Sequence, residues 1–164
     1  MELDCNNKDK INSSVNCKQS SSVVSPSNKL VIAKGDSAAS SHYWREEDTD
    51  VLENIQPSNG PTVRLPDNTA ITANRKAVLP LMDNLSEQAK KVNIIPKLNS
   101  SSLVSLGQLC DDDCNILLHK KVMYAIKNNK IVLTGYRNPN DGLWDIPVGK
   151  EKFHPQIINH HQHM

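Results

Sequence analysis

The residues of this chain best suited to chemistry are Asp36 and the segment that carries it, Lys34-Gly35-Asp36-Ser37-Ala38-Ala39-Ser40-Ser41, which follows the apolar run Leu30-Val31-Ile32-Ala33. A carboxylate held on a tight loop can activate water when a second carboxylate lies about 3 Å away, because like charges that close share one proton. The protonated member then serves as acid and the ionised member as base, and the two titrate as a pair. The chain holds a single loop of this kind. A mechanism of this kind would therefore need a second copy of the chain, with Asp36 and its mate on a two-fold axis. An Asp-Ser dipeptide after a strand is also an ordinary turn, so the surrounding sequence has to decide.

A second group of chemically capable residues is Cys110-Asp111-Asp112-Asp113-Cys114 with His119. Thiolates and imidazole suit zinc, but a cysteine pair between a helix and a strand points one or both thiols inward as small apolar side chains. The three aspartates follow a helix, where the dipole disfavours negative charge, so a solvated loop suits them better. They lack the alternating ligands and terminal Glu of a calcium loop. No metal and no other cofactor is expected. Tyr43, Trp44 and Trp144 read as packing residues, since no Lys/Arg stripe interleaves them as nucleic-acid stacking requires.

The elements that must position these residues are short. The chain has 164 residues, 37% apolar and 4% aromatic, which is enough for one modest domain with polar flanks. Residues 1 to 28 are rich in Ser, Asn and Lys without helical or strand periodicity and read as a disordered linker. From Leu30 onward, strands alternate with turn chemistry, the pattern of an all-β domain ending near Val148. Val51 to Ile55 reads as a strand, Thr62 to Leu65 and Thr69 to Ala73 as a hairpin around Asp67-Asn68, and Lys76 to Leu81 as a further strand. Asn84 to Lys91 allows one helical turn before a strand from Val92 to Ile95. A helix is expected from Ser102 to Leu109, with Ser102 as its cap. Asn115 to Leu118, Val122 to Ile126 and Ile131 to Thr134 form a meander, and Leu143 to Val148 closes the domain.

The ordered words Asp36-Ser37-Ala38-Ala39, His42-Tyr43-Trp44, Val63 to Thr69, Leu103 to Leu109 and Gly142 to Pro147 together resemble the protease region of a copia-type retrotransposon polyprotein, over residues 29 to 148. The resemblance implies a retropepsin-like half-barrel, an aspartic endopeptidase that works as a homodimer on polypeptide substrates. It assigns catalysis to Asp36 and the active-site loop to Ser37, Ala38 and Ala39, with Ser37 bonding across the axis and Ala39 packing beneath. It assigns the substrate-covering flap to Leu65, Pro66, Asp67, Asn68 and Thr69. Three departures stand out: Ala38 where the family has glycine, Lys34-Gly35 in a strand that is usually apolar, and a flap tip without glycine. The alternative is a catalytically inactive remnant or a β-rich binding module.

A net charge of +1 provides no field to attract nucleic acid or an anionic membrane. The N-terminus lacks a secretory signal, and no apolar run approaches the roughly 20 residues that span a bilayer. An intracellular, cytoplasmic protein follows, with Cys5, Cys17, Cys110 and Cys114 as free thiols. Cys5 and Cys17 lack the spacing of the zinc knuckle found upstream in such polyproteins. Residues 149 to 164, with His154, His160, His161 and His163, read as a tail that resembles the cut start of a pre-integrase segment. The chain is expected to be either a fragment of a degraded element or a truncated gene product.

Overall fold

The computed structural model of the chain describes residues 29 to 150. The expectations for the linker at 1 to 28 and for the four tail histidines fall outside these residues. Within them the fold is all-β. Twelve strands run β1 Leu30–Asp36, β2 His42–Arg45, β3 Glu53–Pro57, β4 Thr62–Arg64, β5 Ala70–Thr72, β6 Arg75–Val78, β7 Lys91–Ile95, β8 Leu103–Ser105, β9 Asn115–Leu118, β10 Val122–Lys127, β11 Lys130–Arg137 and β12 Trp144–Gly149. Two short helices, α1 Glu87–Lys90 and α2 Leu106–Cys110, and a 3-10 helix over Glu46–Val51 complete the set.

Ten strands join one sheet in the order β9-β10-β11-β12-β1-β8-β2-β7-β6-β3, while β4 and β5 form a separate two-stranded sheet. The order departs from the chain order at several junctions, and the departure at β8 bears on the Asp36 loop. The strands β1 and β2, joined through the Asp36 loop, are not neighbours, because β8 lies between them. It pairs parallel to β1, setting Asp36 opposite Ser105, and antiparallel to β2 through Tyr43 and Leu103.

Local sequence explains much of this. In β1, Val31 and Ala33 are buried while Leu30 and Ile32 are exposed, the period-two alternation of a strand with one face on a core. The turn joining β10 to β11 is Asn128-Asn129, both at positive φ (53° and 64°), the two-residue hairpin geometry that asparagine tolerates. Lys34 and Gly35 are accounted for by their neighbours. The Lys34 ammonium binds both Asp141 and Asp145, and a Cβ on Gly35 would come within 2.9 Å of Ile146 Cδ1. The missing side chain lets β12 pack against β1.

The main core gathers Trp44, Val51, Leu79, Ile94, Val104, Leu109, Met123 and Ile146. A smaller cluster of Tyr43, Ala73, Ile95 and Leu98 lies under Val63, Leu65 and Ile71 of the hairpin region. Tyr43 and Trp44 are packing residues, as their types suggested.

Two expectations need correction. The helix expected from Ser102 to Leu109 is a strand followed by a helix, and its cap is Ser105, whose hydroxyl accepts from the Gln108 amide. Ser102 is unavailable as a cap: its buried hydroxyl donates to Asp48 and accepts from the Arg45 amide. The strand expected from Val51 begins only at Glu53, because Glu46–Val51 coils into the 3-10 helix, whose Val51 faces the core. Among the described residues, no helix is long and apolar enough to cross a membrane.

Candidate active site

Asp36 is the last residue of β1 and Ser37 to Ser41 carry the chain over to β2. Asp36 is half-buried, Ser37 and Ala38 are exposed, and Ala39 is half-buried. The carboxylate folds back on its own loop, with Oδ1 accepting from the Ala38 amide at 2.8 Å. This Asx-type bond fixes one oxygen and leaves the other for chemistry. Ala38 is not among the described residues with positive φ. Its methyl therefore costs no backbone strain, and its effect is confined to the space it occupies on the exposed side of the loop.

The loop is held from behind by side chains that single-motif reading passed over. Ser105 Oγ donates to the Ala39 carbonyl at 2.7 Å and accepts from the Gln108 amide at 3.0 Å. The Ser105 amide donates to His42 Nδ1 at 2.8 Å, and His42 Nε2 bonds the Ala89 carbonyl at 2.8 Å. Gln108 completes the arrangement, its Oε1 accepting from the His42 amide and its Nε2 donating to the carbonyls of Gln88 and Lys91. His42, fully buried, has its imidazole pKa pushed down to about 4, because burial penalises the charged ring more than the Ala89 carbonyl favours it. The available sequence signal was a histidine opening an aromatic strand, His42-Tyr43-Trp44, where an exposed polar residue would gain nothing.

A second buried polar group braces the far end of β2. The Arg45 guanidinium and the Ser102 hydroxyl both bond the Asp48 carboxylate. Burial raises the Asp48 pKa, but these partners outweigh it and hold the carboxyl below its ordinary value.

The residues assigned to the flap form the tip of the β4–β5 hairpin. Asn68 takes the left-handed position at φ 73°, which asparagine adopts at low cost, so the turn closes without glycine. Asp67 Oδ1 accepts from both the amide and hydroxyl of Thr69, and Arg64 reaches the Asn68 carbonyl. Pro66 to Thr69 are exposed and Leu65 is half-buried. The hairpin connects to the Asp36 region through packing: Val63, Leu65 and Ile71 rest on the cluster containing Tyr43, whose hydroxyl lies 3.2 Å from Ser40 Oγ in the loop.

Other candidates separate. Cys114 is buried, with its thiol pushed up to about 11 by burial and by the Asp112 charge, whereas Cys110 is exposed. His119 stands edge-on to Tyr124. Among the described residues, no group of three or more His, Cys, Asp or Glu side chains could hold a metal ion. Asp112 is spent on structure, bonding Lys127 and the Ser86 amide, which hold its carboxyl down at about 2. A cleft of about 320 Å³ opens between the loop and the two short helices, lined by Ser40, Ser41, Gln88, Lys91, Gln108 and Asp112. Asp36 is not in its wall. No protein-family model, no curated protein and no solved structure matches this chain.

Proposed function

We propose that residues 29 to 148 form one subunit of a retropepsin-like aspartic endopeptidase, derived from a retrotransposon polyprotein, that cleaves peptide bonds as a homodimer. The observation that carries this reading is the threading of β8 between β1 and β2, which closes a buried brace behind a loop whose outer face presents one carboxylate. A brace of this kind fixes a carboxylate to the tolerance that shared-proton chemistry demands. Asp36 from each subunit would share one proton across the axis. The ionised member would take a proton from a water held between them, and the protonated member would polarise the scissile carbonyl. Ser37 would bond across the axis, and the β4–β5 hairpin would cover bound peptide.

The experiment combines assembly and cleavage. At micromolar concentration the protein should sediment as a dimer and cleave polyprotein-derived peptides with a bell-shaped pH profile. A hydroxyl-bearing transition-state analogue should inhibit it and a chelator should not. A strict monomer, folded and inactive in both the wild-type and Ala38→Gly forms, would replace this reading with a β-rich binding module in which Asp36 is a relic.

A further inference from the structure

We propose that His42 is a positioning residue for the Asp36 carboxylate, acting as a neutral imidazole that locks β8 in the height at which Ser105 holds the catalytic loop. The effect on cleavage rests on the endopeptidase reading above; the positioning itself does not. The hydrogen bonds run in one direction only. An amide N–H cannot accept, so His42 Nδ1, which receives the Ser105 amide, must carry its lone pair. A carbonyl cannot donate, so Nε2, facing Ala89, must carry the proton. Both nitrogens are committed, the tautomer is forced, and the ring has no exposed edge.

The placement of those bonds gives the ring its leverage. Ser105 is the register partner of Asp36 in the β1–β8 pairing. Its amide is held by His42, its hydroxyl holds the Ala39 carbonyl three residues past Asp36, and the same hydroxyl caps α2. The His42 amide is tied in turn to Gln108 on that helix. The ring, carried on β2, therefore joins α1 to β8 around the back of the loop, and the backbone amide of the same residue adds α2. Displacing it frees Ser105, and with it the strand that faces Asp36.

A protonated ring would aim a second N–H at the Ser105 amide and lose that bond. Burial opposes this protonation, resisted only by the Ala89 carbonyl. The titratable side chains on the surrounding elements are Asp36 on β1, Glu87 and Lys90 on α1, Lys91 on β7 and Cys110 on α2, and the two ring nitrogens bond none of them, being taken by the Ser105 amide and the Ala89 carbonyl. The ring therefore stays neutral through mildly acidic pH, where a carboxylate pair works, and fails below about pH 4.

The test uses the full chain and three readouts: ring 15N shifts of His42, hydrogen exchange of the Ser105 amide, and peptide cleavage. In wild type, the ring should be the neutral Nε2–H tautomer at pH 6 and the Ser105 amide should be protected. His42→Asn puts Oδ1 near the Nδ1 position and should keep the protection, most of kcat, and lose titration of the ring from the acid limb. His42→Gln keeps a donor for Ala89 but offers no acceptor to Ser105. It should lose the protection and lower kcat about tenfold, as expected for one buried hydrogen bond, with KM changed less than about twofold. An imidazolium at pH 6, equal Ser105 exchange in wild type and His42→Gln, or a kcat unaffected by His42→Gln would each overturn the proposal. Should His42→Gln fail to fold, the wild-type tautomer and exchange measurements decide alone. An inactive wild type would overturn the endopeptidase reading, while the tautomer and exchange data would still decide the positioning.

Discussion

The Asp36 loop and the β4–β5 hairpin are both short turns with an aspartate at a critical place, yet the molecule holds them in opposite ways. Behind Asp36, side chains from elements far apart in sequence converge: the buried His42 and Ser105 and the half-buried Gln108 bond one another and the loop across separations of about 65 residues. At the hairpin tip, Asp67 bonds Thr69 two residues on, in solvent, and β4 pairs only with β5. Buried polar networks are costly when incomplete and rigid when complete. Exposed local bonds contribute little and open easily. The chain thus builds a firmly braced loop and a locally held hairpin from similar residues, and burial makes the difference.

The largest way to sharpen this contrast is Asp36→Asn. It should lower peptide cleavage by a factor on the order of 10² to 10⁴, as loss of a general acid–base group does, with thermal unfolding unchanged. The corresponding change in the hairpin, Asp67→Asn, should reduce kcat by far less in the same assay.

Core substitutions come next. Trp44→Ala should cost about 3 to 5 kcal/mol in denaturant unfolding, since the ring is fully buried in the main cluster and its Nε1 donates to the Asp48 carbonyl. Ile71→Ala in the hairpin, half-buried against the smaller cluster, should cost about 1 kcal/mol or less.

Acid titration separates the regions a third way. The His42 pKa is about 4 in the folded chain against an ordinary 6.5, so the unfolded chain takes up the proton first as pH falls. Stability from this group is complete above pH 6.5, declines by about 3 kcal/mol between pH 6.5 and 4, and changes no further below that. His42→Asn should flatten that part of the stability–pH curve.

On the endopeptidase proposal, Ala38→Gly should raise cleavage by up to roughly fivefold, the equivalent of about 1 kcal/mol of barrier, by clearing the methyl from the side of the loop that would meet peptide. The gain would come from space and not from backbone freedom, since Ala38 does not occupy the left-handed region. The smallest effect is expected from Asp67→Ala, whose bonds to Thr69 lie in solvent; it should leave global unfolding unchanged and show only as faster amide exchange confined to residues 62 to 72.

The sequence by itself determined the all-β class, the Asp36-Ser37-Ala38-Ala39 loop, the hairpin around Asp67-Asn68 and the meander from Asn115 onward. Each is written in short-range signals: period-two alternation, asparagines that accept positive φ, and a strand ending in a carboxylate. Tertiary structure decided what no short window could. Ser102 and Ser105 are equally good caps by type, and it is the Arg45 amide and the Asp48 carboxylate, 57 and 54 residues away in the chain, that engage the Ser102 hydroxyl. His42 looked like part of an aromatic word until β8 came between β1 and β2 and presented it with a backbone amide. Lys34 broke the expected apolar pattern of β1 because its two aspartate partners lie more than 100 residues further on. In each case the deciding hydrogen bond or ion pair exists only after distant strands pair, and pairing of that range is set by burial of the whole sheet.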